Sequence, residues 1–269
     1  MADESRLKIA QRWLAPVVPV LSVLVCLLLW HVAATRRLDL GLVTFANVPP
    51  PAEVAQAAWA LATSPKLGQH LGSSLTRIAL GFVLAAALGI GLGLLVGRLA
   101  WARRSLLPPL EVLRPIPAVA WIPLSVLMFP SSEGSMVFIT FVGALFPILL
   151  ATIHGVEGVD ARLIASARGL GCKRWPLFRE VILPAAAPSI VTGLAIGMGT
   201  CWFCLITAEM ISGQYGIGYY TWESYTVQNY GNIVVGMLLI GVLGMGSSAV
   251  IRQGGRWLMP WHRTGGRAA

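Results

Sequence analysis

The 269-residue chain is 56% hydrophobic and only 12% charged, and its mean hydropathy is +0.74. Soluble domains carry about 25% charged residues, so this composition excludes an ordinary soluble protein and predicts a membrane protein. The formal charge of +9 would suggest a nucleic-acid partner in a soluble domain. In a membrane chain it reflects Lys and Arg on the cytoplasmic side, and we expect no nucleic-acid partner.

Six uncharged runs follow one another, each at least about 18 residues long, the length at which a helix crosses roughly 30 Å of hydrocarbon. Their apolar residues are continuous, unlike the alternating strands of a membrane β-barrel. The sequence therefore predicts an all-α membrane protein with six transmembrane helices. The third helix is expected to begin before its run, near Leu106, with Glu111 and Arg114 at the membrane boundary. The runs lie at residues 13–35, 78–97, 115–132, 134–156, 181–208 and 224–251.

The first run could belong to a cleaved signal peptide or to a retained anchor. Its apolar core, from Leu14 to Trp30, is longer than the usual signal-peptide core of about 7–15 residues, so we expect a retained anchor. The segment after it, residues 47–70, has prolines where a helix could begin and apolar residues that could rest on the outer membrane surface. We expect a short interfacial helix there.

Small residues recur every four positions in two of the runs, a spacing that lets helix backbones approach closely. The pattern predicts a tightly packed bundle, whether these interfaces slide during transport or are static. The positions are Gly81, Ala85, Gly89, Gly93 and Gly97 in the second run, and Gly193 and Gly197 in the fifth.

The basic residues are distributed unevenly between the two sides of the predicted membrane domain. Fifteen of the twenty lie in segments on one side and four on the other, which predicts that both termini are cytoplasmic. The chain then divides into a cytoplasmic segment at 1–12, a six-span domain at 13–252 and a cytoplasmic tail at 253–269. The loop at 156–180 is cytoplasmic in this topology and is unusually long.

Cys201 and Cys204 form a CxxC pair, which could indicate metal or redox chemistry. The pair falls inside the fifth run without a second pair, so we expect it to be buried packing, and we assign no metal site. The sequence contains no phosphate-binding loop, no HExxH and no GxSxG. We therefore expect no catalytic residues and no cofactor bound by this chain.

The long loop contains a basic segment with the signals of a helix. Asp160 can cap its start, and Gly169 and Gly171 can end it through positive φ. Its apolar side suits either a groove in another protein or the surface of anionic lipid, and the pattern leaves both open. The residues of that side are Leu163, Ile164, Ala167 and Leu170.

The same loop resembles the EAA motif of ABC-importer permeases, whose pattern is E-A-A, three residues, G, nine residues and I-x-L-P. Ala165 stands at the position of the motif's Glu, Ser166 at its first Ala and Val181 at its Ile. The resemblance implies that the loop docks on an ATPase subunit. The residues it assigns to ATPase coupling are Leu163, Ile164, Ala165, Ser166, Ala167, Arg168, Gly171, Leu183 and Pro184.

Three further segments are similar to the nitrate/sulfonate/taurine/bicarbonate group of these permeases. Residues 70–98 carry that group's Arg77 and Gly81. Residues 113–129 carry its Arg114-Pro115 and Trp121-Ile122-Pro123, and residues 207–224 carry its Ala208-Glu209-Met210, Gly216 and Gly218.

The resemblance implies a type I ABC importer permease fold, multi-pass in the bacterial inner membrane and without enzymatic activity of its own. It also implies partners: two copies of an ATPase subunit that binds ATP and Mg, and a second permease copy, with a homodimer expected. A periplasmic or lipoprotein solute-binding protein would deliver the substrate from outside, and membrane lipid would surround the assembly.

Some polar and aromatic residues are candidates for the translocation path, with Arg114 attracting anions. The favoured alternatives are an ion pair between Glu111 and Arg114 near the cytoplasmic interface, and a solvated span end for Glu209. The path candidates are Arg114, Trp121, Thr200, Trp202 and Glu209.

The function we expect is that of an ABC importer permease for a small anion such as nitrate, a sulfonate, taurine or bicarbonate. A self-sufficient secondary carrier or channel is the alternative. Carriers commonly place charges near the middle of the membrane, whereas these runs are nearly free of charge. A membrane enzyme is opposed by the missing catalytic motifs.

Overall fold

The computed structural model describes the backbone of residues 2–212 and 215–261, and the side chains in these ranges from residue 18 onward. The last eight residues of the predicted C-terminal tail therefore lie outside the described residues. Helices form most of the described chain. They are α1 (Ala2–Thr35), α2 (Pro51–Ala62), α3 (Pro65–Arg98), α4 (Ala100–Leu113), a 3₁₀ turn (Ala118–Trp121), α5 (Ile122–Met128), α6 (Ser132–Glu157), α7 (Ala161–Gly169), α8 (Arg174–Pro176), a π-helical segment (Leu177–Ile182), α9 (Leu183–Ser212), α10 (Ile217–Thr226) and α11 (Tyr230–Leu258).

Five helical stretches in the described chain are long and apolar enough to cross a membrane, and the all-α membrane fold predicted from the sequence is confirmed. A sixth candidate is α4 together with Ala118–Met128, which are bent by 83° to each other. The predicted third span is thus a broken helix. The break contains Pro115 and Pro117, which have no backbone N–H to donate and restrict the residues before them. The five stretches are Val18–Thr35, Pro65–Arg98, Ser132–Glu157, Arg174–Ser212 and Tyr230–Leu258.

The chain divides into two compact units, of which the first comprises residues up to Leu67 together with Glu223–Val235. In this unit the indole N–H of Trp30 donates to the carbonyl of Pro49 at 3.1 Å. Helix α2 begins at Pro51, since a proline fits the first helical position, where its missing N–H is not needed. The short helix predicted after the first run is therefore confirmed.

In the second unit, which comprises Gly68–Trp222 and the residues from Gly236 on, α3 and α6 lie side by side. A Cβ atom added at Gly81 would lie 2.8 Å from the Cβ of Thr140, and one added at Gly93 would lie 2.6 Å from the Cβ of Thr152. In both pairs the α6 residue lies 59 positions further along the chain, so the two helices run in the same direction. Their backbones touch through the predicted glycines, and the close packing is confirmed.

The chain between these two parallel helices returns along the bundle. An ion pair between Arg103 Nη1 and Glu157 Oε1, 2.5 Å apart, joins the start of α4 to the end of α6. The hydroxyls of Ser125 and Ser135, 2.6 Å apart, join α5 to the start of α6. The bent pair therefore covers the length of α6 in the opposite direction, which makes it the third of six spans.

Helix α6 also packs antiparallel to α9. The Ser189 hydroxyl donates to the carbonyl of Ala151 at 2.8 Å near one end of the pair. At the middle of α6, a Cβ at Gly143 would overlap the side chain of Cys204, which lies later in α9. Cys201 and Cys204 are both buried, as expected for apolar packing. Helix α6 is thus the centre of the bundle that carries the candidate sites.

Candidate functional site

The loop between α6 and α9 folds around α7 with the predicted cap. The carboxylate of Asp160 accepts a hydrogen bond from the backbone N–H of Arg162 at 2.8 Å. After the helix, Gly171 has a φ of +81°, and its N–H donates to the carbonyl of Arg168 at 2.9 Å. Gly169 is the last helical residue, so of the two glycines only Gly171 supplies the left-handed turn.

The four apolar residues predicted to form one side of α7 differ in burial. Ile164 and Ala167 are partly buried and pack on a core that includes Val156, whereas Leu163 and Leu170 are exposed. Ile164 and Ala167 thus hold α7 against its own bundle, and Leu163 and Leu170 are left exposed. The remaining coupling candidates are Ala165, Ser166 and Arg168, which are exposed, and Leu183 and Pro184, which begin α9 and are partly buried.

At the opposite end of the bundle lies an ionic group of Ser74, Arg77, Glu133 and Glu209, which we call the Arg77 cluster; Glu133 is exposed and the other three side chains are buried. Arg77 Nη1 donates to Glu209 Oε1 at 2.8 Å, and Arg77 Nε donates to Glu133 Oε2 at 2.8 Å. Arg77 Nη2 also pairs with Glu133 Oε1. Glu209 is 0% exposed and accepts a further hydrogen bond from the Ser74 hydroxyl at 2.8 Å. The buried charges are therefore paired, as burial requires.

The Arg77 cluster also holds the segment that follows α9. Arg77 donates to the carbonyl of Tyr215, and the backbone N–H of Gly218 donates to Glu209 Oε2 at 2.9 Å. Gly216 has a φ of +148°, and a Cβ there would overlap the Glu209 carboxylate. Glycine is needed at this position both for its conformation and for its small size.

Two more side chains of α3 bind the same segment. The Ser74 hydroxyl accepts from the N–H of Ile217 at 3.0 Å, and His70 Nδ1 accepts from the N–H of Gly216 at 3.1 Å. Together with Arg77 they line one face of α3, at intervals of four and three residues. The connection between α9 and α10 is thus fixed to α3 by side chains rather than by sequence neighbours.

This cluster was not predicted from the sequence. A solvated span end was favoured for Glu209, which is wrong because Glu209 is buried and paired with Arg77. A signal was present: the stripe of small residues that starts at Gly81 continues upstream through Arg77, Ser74 and His70 at helical spacing. That continuation marks the buried face of α3.

A cavity of about 260 Å³ brings together two of the five path candidates, Arg114 and Thr200. Arg114 and Pro117 come from the break between α4 and α5, and Phe146 and its neighbours on α6 form another wall. These α6 residues lie in the middle of the helix, so Arg114 is at the depth of its centre and not at its end. The prediction that placed Arg114 at the membrane boundary is corrected accordingly.

Arg114 has no acidic partner among the described residues. The expected ion pair with Glu111 does not form; the described ion pairs are those of Arg77 and the one between Arg103 and Glu157. The Thr200 hydroxyl donates to the carbonyl of Gly197 at 3.0 Å. The cavity therefore holds one unpaired guanidinium beside one hydroxyl, with apolar walls.

The other path candidates do not line this cavity. Trp202 is buried in the core, and its indole N–H donates to the hydroxyl of Ser247 at 2.9 Å. The indole N–H of Trp121 is buried without a hydrogen-bond partner among the described residues. Glu209 belongs to the Arg77 cluster. The five candidates thus occupy several places in the bundle.

Several membrane-spanning helices, with an exposed helix in the loop between α6 and α9, are typical of a membrane transport component. The family described as "Binding-protein-dependent transport system inner membrane component" matches residues 71–263, most of the chain, and the chain belongs to this family. It is a permease subunit of an ABC importer and a multi-pass inner-membrane protein. Members of this family work with ATPase subunits and a solute-binding protein.

Similar proteins include permeases from several organisms. The chain is 34% identical to an Escherichia coli (strain K12) protein named as the aliphatic sulfonates transport permease SsuC, over 87% of this chain and 88% of that protein. It is 31% identical to the nitrate import permease NrtB of Synechocystis sp., over 84% of this chain and 83% of that protein. It is 42% identical to a Methanocaldococcus jannaschii protein named as an ABC transporter permease, over 64% of this chain and 65% of that protein.

Proposed function

We propose that this permease conducts a small anion of the nitrate or sulfonate class, delivered by a solute-binding protein. The names of two relatives, a nitrate permease and a sulfonate permease, support this class. Taurine and bicarbonate belong to the same range of substrates in the resembling group. All of these substrates have in common a compact charged oxyanion group.

The cavity at Arg114 carries the proposal. Its volume of about 260 Å³ lies below the roughly 300–1,000 Å³ of pockets for drug-sized ligands, so it suits a small one. A guanidinium presents planar N–H donors that match the oxygens of nitrate or a sulfonate. Because Arg114 has no acidic partner among the described residues, it is available to a passing anion. The hydroxyl of Thr200 supplies a second polar contact.

The driving force comes from partners in this proposal. Two ATPase subunits bind ATP and Mg, a second copy of this chain completes the path as a homodimer, and the chain itself hydrolyses nothing. Leu163 on α7 and Leu170 directly after it are exposed, which supports docking of this helix in a groove on the ATPase. ATP-driven closure of the ATPase pair would then carry α7 and turn the permease halves between inward-open and outward-open states.

The proposed orientation places both termini and the 156–180 loop in the cytoplasm. The asymmetry of Lys and Arg supports it, with segments 1–12 and 253–269 as cytoplasmic tails of the 13–252 domain. The Arg77 cluster then lies at the outer end of the bundle, where the binding protein delivers substrate.

The test is import of nitrate and of ethanesulfonate by the reconstituted complex, with Arg114→Gln, Arg114→Lys and a control, Arg104→Gln. Arg104 is exposed on α4 and lines none of these sites. We expect Arg114→Gln to lower import by about tenfold or more, because a hydrogen bond to a charged group contributes roughly 1.5–3 kcal/mol. Arg114→Lys should retain part of the activity, since it keeps the charge.

Membrane levels and retention of the ATPase subunits should be the same for all three variants. Import by Arg114→Gln at the wild-type rate would contradict the proposed path. An equal fall in Arg104→Gln would contradict it as well, because the effect would then follow net charge rather than position.

A further inference from the structure

A groove of about 450 Å³ lies beside the end of α3 that is opposite to the Arg77 cluster. One wall is the α3 face that includes Gly91, Leu94 and Arg98, and the other wall is the short segment after the α7 turn, with Arg174, Trp175 and Phe178. The walls are apolar apart from the two arginines. The groove thus joins the end of a span to the exit of the coupling loop.

The two guanidiniums of this groove have no acidic partner among the described residues, whose ion pairs involve only Arg77 and Arg103. Two positive charges beside an apolar surface match an anion that also has an apolar part. Trp175 is 69% exposed, and its ring lies 5.9 Å from that of Phe178, centroid to centroid. Exposed tryptophan beside arginine is typical of the boundary between membrane and water.

We propose that the groove binds an anionic phospholipid, with its phosphate between Arg98 and Arg174 and an acyl chain along Gly91 and Leu94. This rests on the orientation proposed above, in which the groove faces the cytoplasmic leaflet, whose surface is negatively charged. The lipid bridges α3 and the segment that carries the coupling loop into α9.

The depth of the groove favours lipid over a soluble protein. Arg98 ends α3, and Gly91 lies seven residues before it, which is about 10 Å further into the span at 1.5 Å per residue. An occupant must therefore contact arginine at the membrane surface and hydrocarbon about two turns below. A phospholipid has its charge and its apolar chains in this order, whereas a cytoplasmic ATPase reaches only the surface.

The experiment measures lipid retained by the whole detergent-solubilised complex, using native mass spectrometry after addition of phosphatidylglycerol or phosphatidylcholine. The first variant is Arg98→Gln with Arg174→Gln, and its control is Arg104→Gln with Arg179→Gln. The control removes the same charge from two exposed arginines of the same end that do not line the groove.

A second pair of variants fills the groove without changing charge. Gly91→Leu places a side chain in it, and a Cβ at Gly91 has no atom within 4 Å. Gly72→Leu is the control, since Gly72 also lies on α3 and its Cβ position is equally open. Leucine is a better helix former than glycine, so neither variant should fail to fold.

We expect the wild type to retain phosphatidylglycerol in preference to phosphatidylcholine. The Arg98→Gln/Arg174→Gln variant should bind phosphatidylglycerol about thirtyfold more weakly, because each basic residue near an anionic lipid contributes roughly fivefold in affinity. Gly91→Leu should lose retention of both lipids, and the two control variants should behave as the wild type does.

Equal retention by either test variant and its control would overturn the lipid site. Displacement of phosphatidylglycerol by glycerol 3-phosphate at the same concentration would also overturn it, since that probe has the phosphate without acyl chains. A third contrary result is release of the ATPase subunits or the second permease by Gly91→Leu with lipid unchanged, which would make the groove a protein interface. None of these outcomes depends on which anion is imported, so the proposed function is tested separately.

Discussion

Replacing Arg77 with Met removes the one cation of the Arg77 cluster while keeping a long side chain in its place. Glu209 would then remain as a charge that is 0% exposed, with only the hydroxyl of Ser74 and the N–H of Gly218 as donors. Glu133 would suffer less, because its side chain is 57% exposed and water can solvate it. The substitution therefore destabilises the protein mainly by leaving the Glu209 carboxylate buried without a cationic partner.

The expected loss of stability is about 3–5 kcal/mol, the usual effect of leaving one member of a buried ion pair without its partner. A second change, Glu209→Gln, removes the unpaired charge and leaves a carbonyl oxygen that can still accept from Ser74 or Gly218. We therefore expect Arg77→Met/Glu209→Gln to be more stable than Arg77→Met alone, by about 2 kcal/mol. The double variant should therefore lose less stability than the single variant.

The assay is thermal unfolding of the purified complex in detergent, followed by intrinsic tryptophan fluorescence, with membrane levels measured in parallel. A loss of 3–5 kcal/mol corresponds to a decrease of very roughly 10 °C in the midpoint for a chain of this size. If the double variant unfolds at or below the temperature of Arg77→Met, Glu209 is not the charge that Arg77 neutralises and the reasoning is refuted.

Three further predictions concern packing, coupling and orientation. Gly93→Ala should destabilise the complex by about 1–3 kcal/mol, because its Cβ would meet Thr152. Gly91→Ala, where the Cβ position is open, should be neutral or stabilising. Equal midpoints of thermal unfolding for the two variants would argue against the parallel α3–α6 contact. Gly171→Val should leave membrane levels normal but weaken ATPase retention and lower import by about tenfold or more. The reason is that a β-branched residue adopts a φ of +81° only with backbone strain. Normal import and normal retention would contradict docking through α7. A reporter that is active only in the cytoplasm should work when fused after Ala269 and fail when inserted near Ser64, and equal signals would contradict the orientation.

The local features of the bundle could be predicted because their causes lie within a few residues. Asp160 and Gly171 act on neighbouring backbone groups, so the helix they delimit is readable from the sequence alone. The glycine stripe of α3 is similar, because spacing within one helix determines which face can approach another closely. The partner of that face, α6, could not be identified in this way.

The Arg77 cluster and the Arg114 cavity depend on residues that are far apart in the chain. Arg77 and Glu209 are 132 positions apart, and only the packing of α3 beside α6 and α9 brings them together. A charge near the end of an apolar run looks solvated when its partner is unknown, which explains the error for Glu209. Arg114 was placed at a boundary because the prolines of the break were not expected to turn the chain by 83°.

The most direct test of the account is ATP-driven import by a defined system. Proteoliposomes containing this chain and its co-purifying ATPase subunits, with ATP inside and the solute-binding protein outside, are assayed for nitrate and ethanesulfonate. We expect accumulation of at least one of these anions only when all components and ATP are present, and none by the chain alone under an ion gradient. Accumulation by the isolated chain, driven by an ion gradient and indifferent to ATP, would contradict the account and establish a self-sufficient carrier.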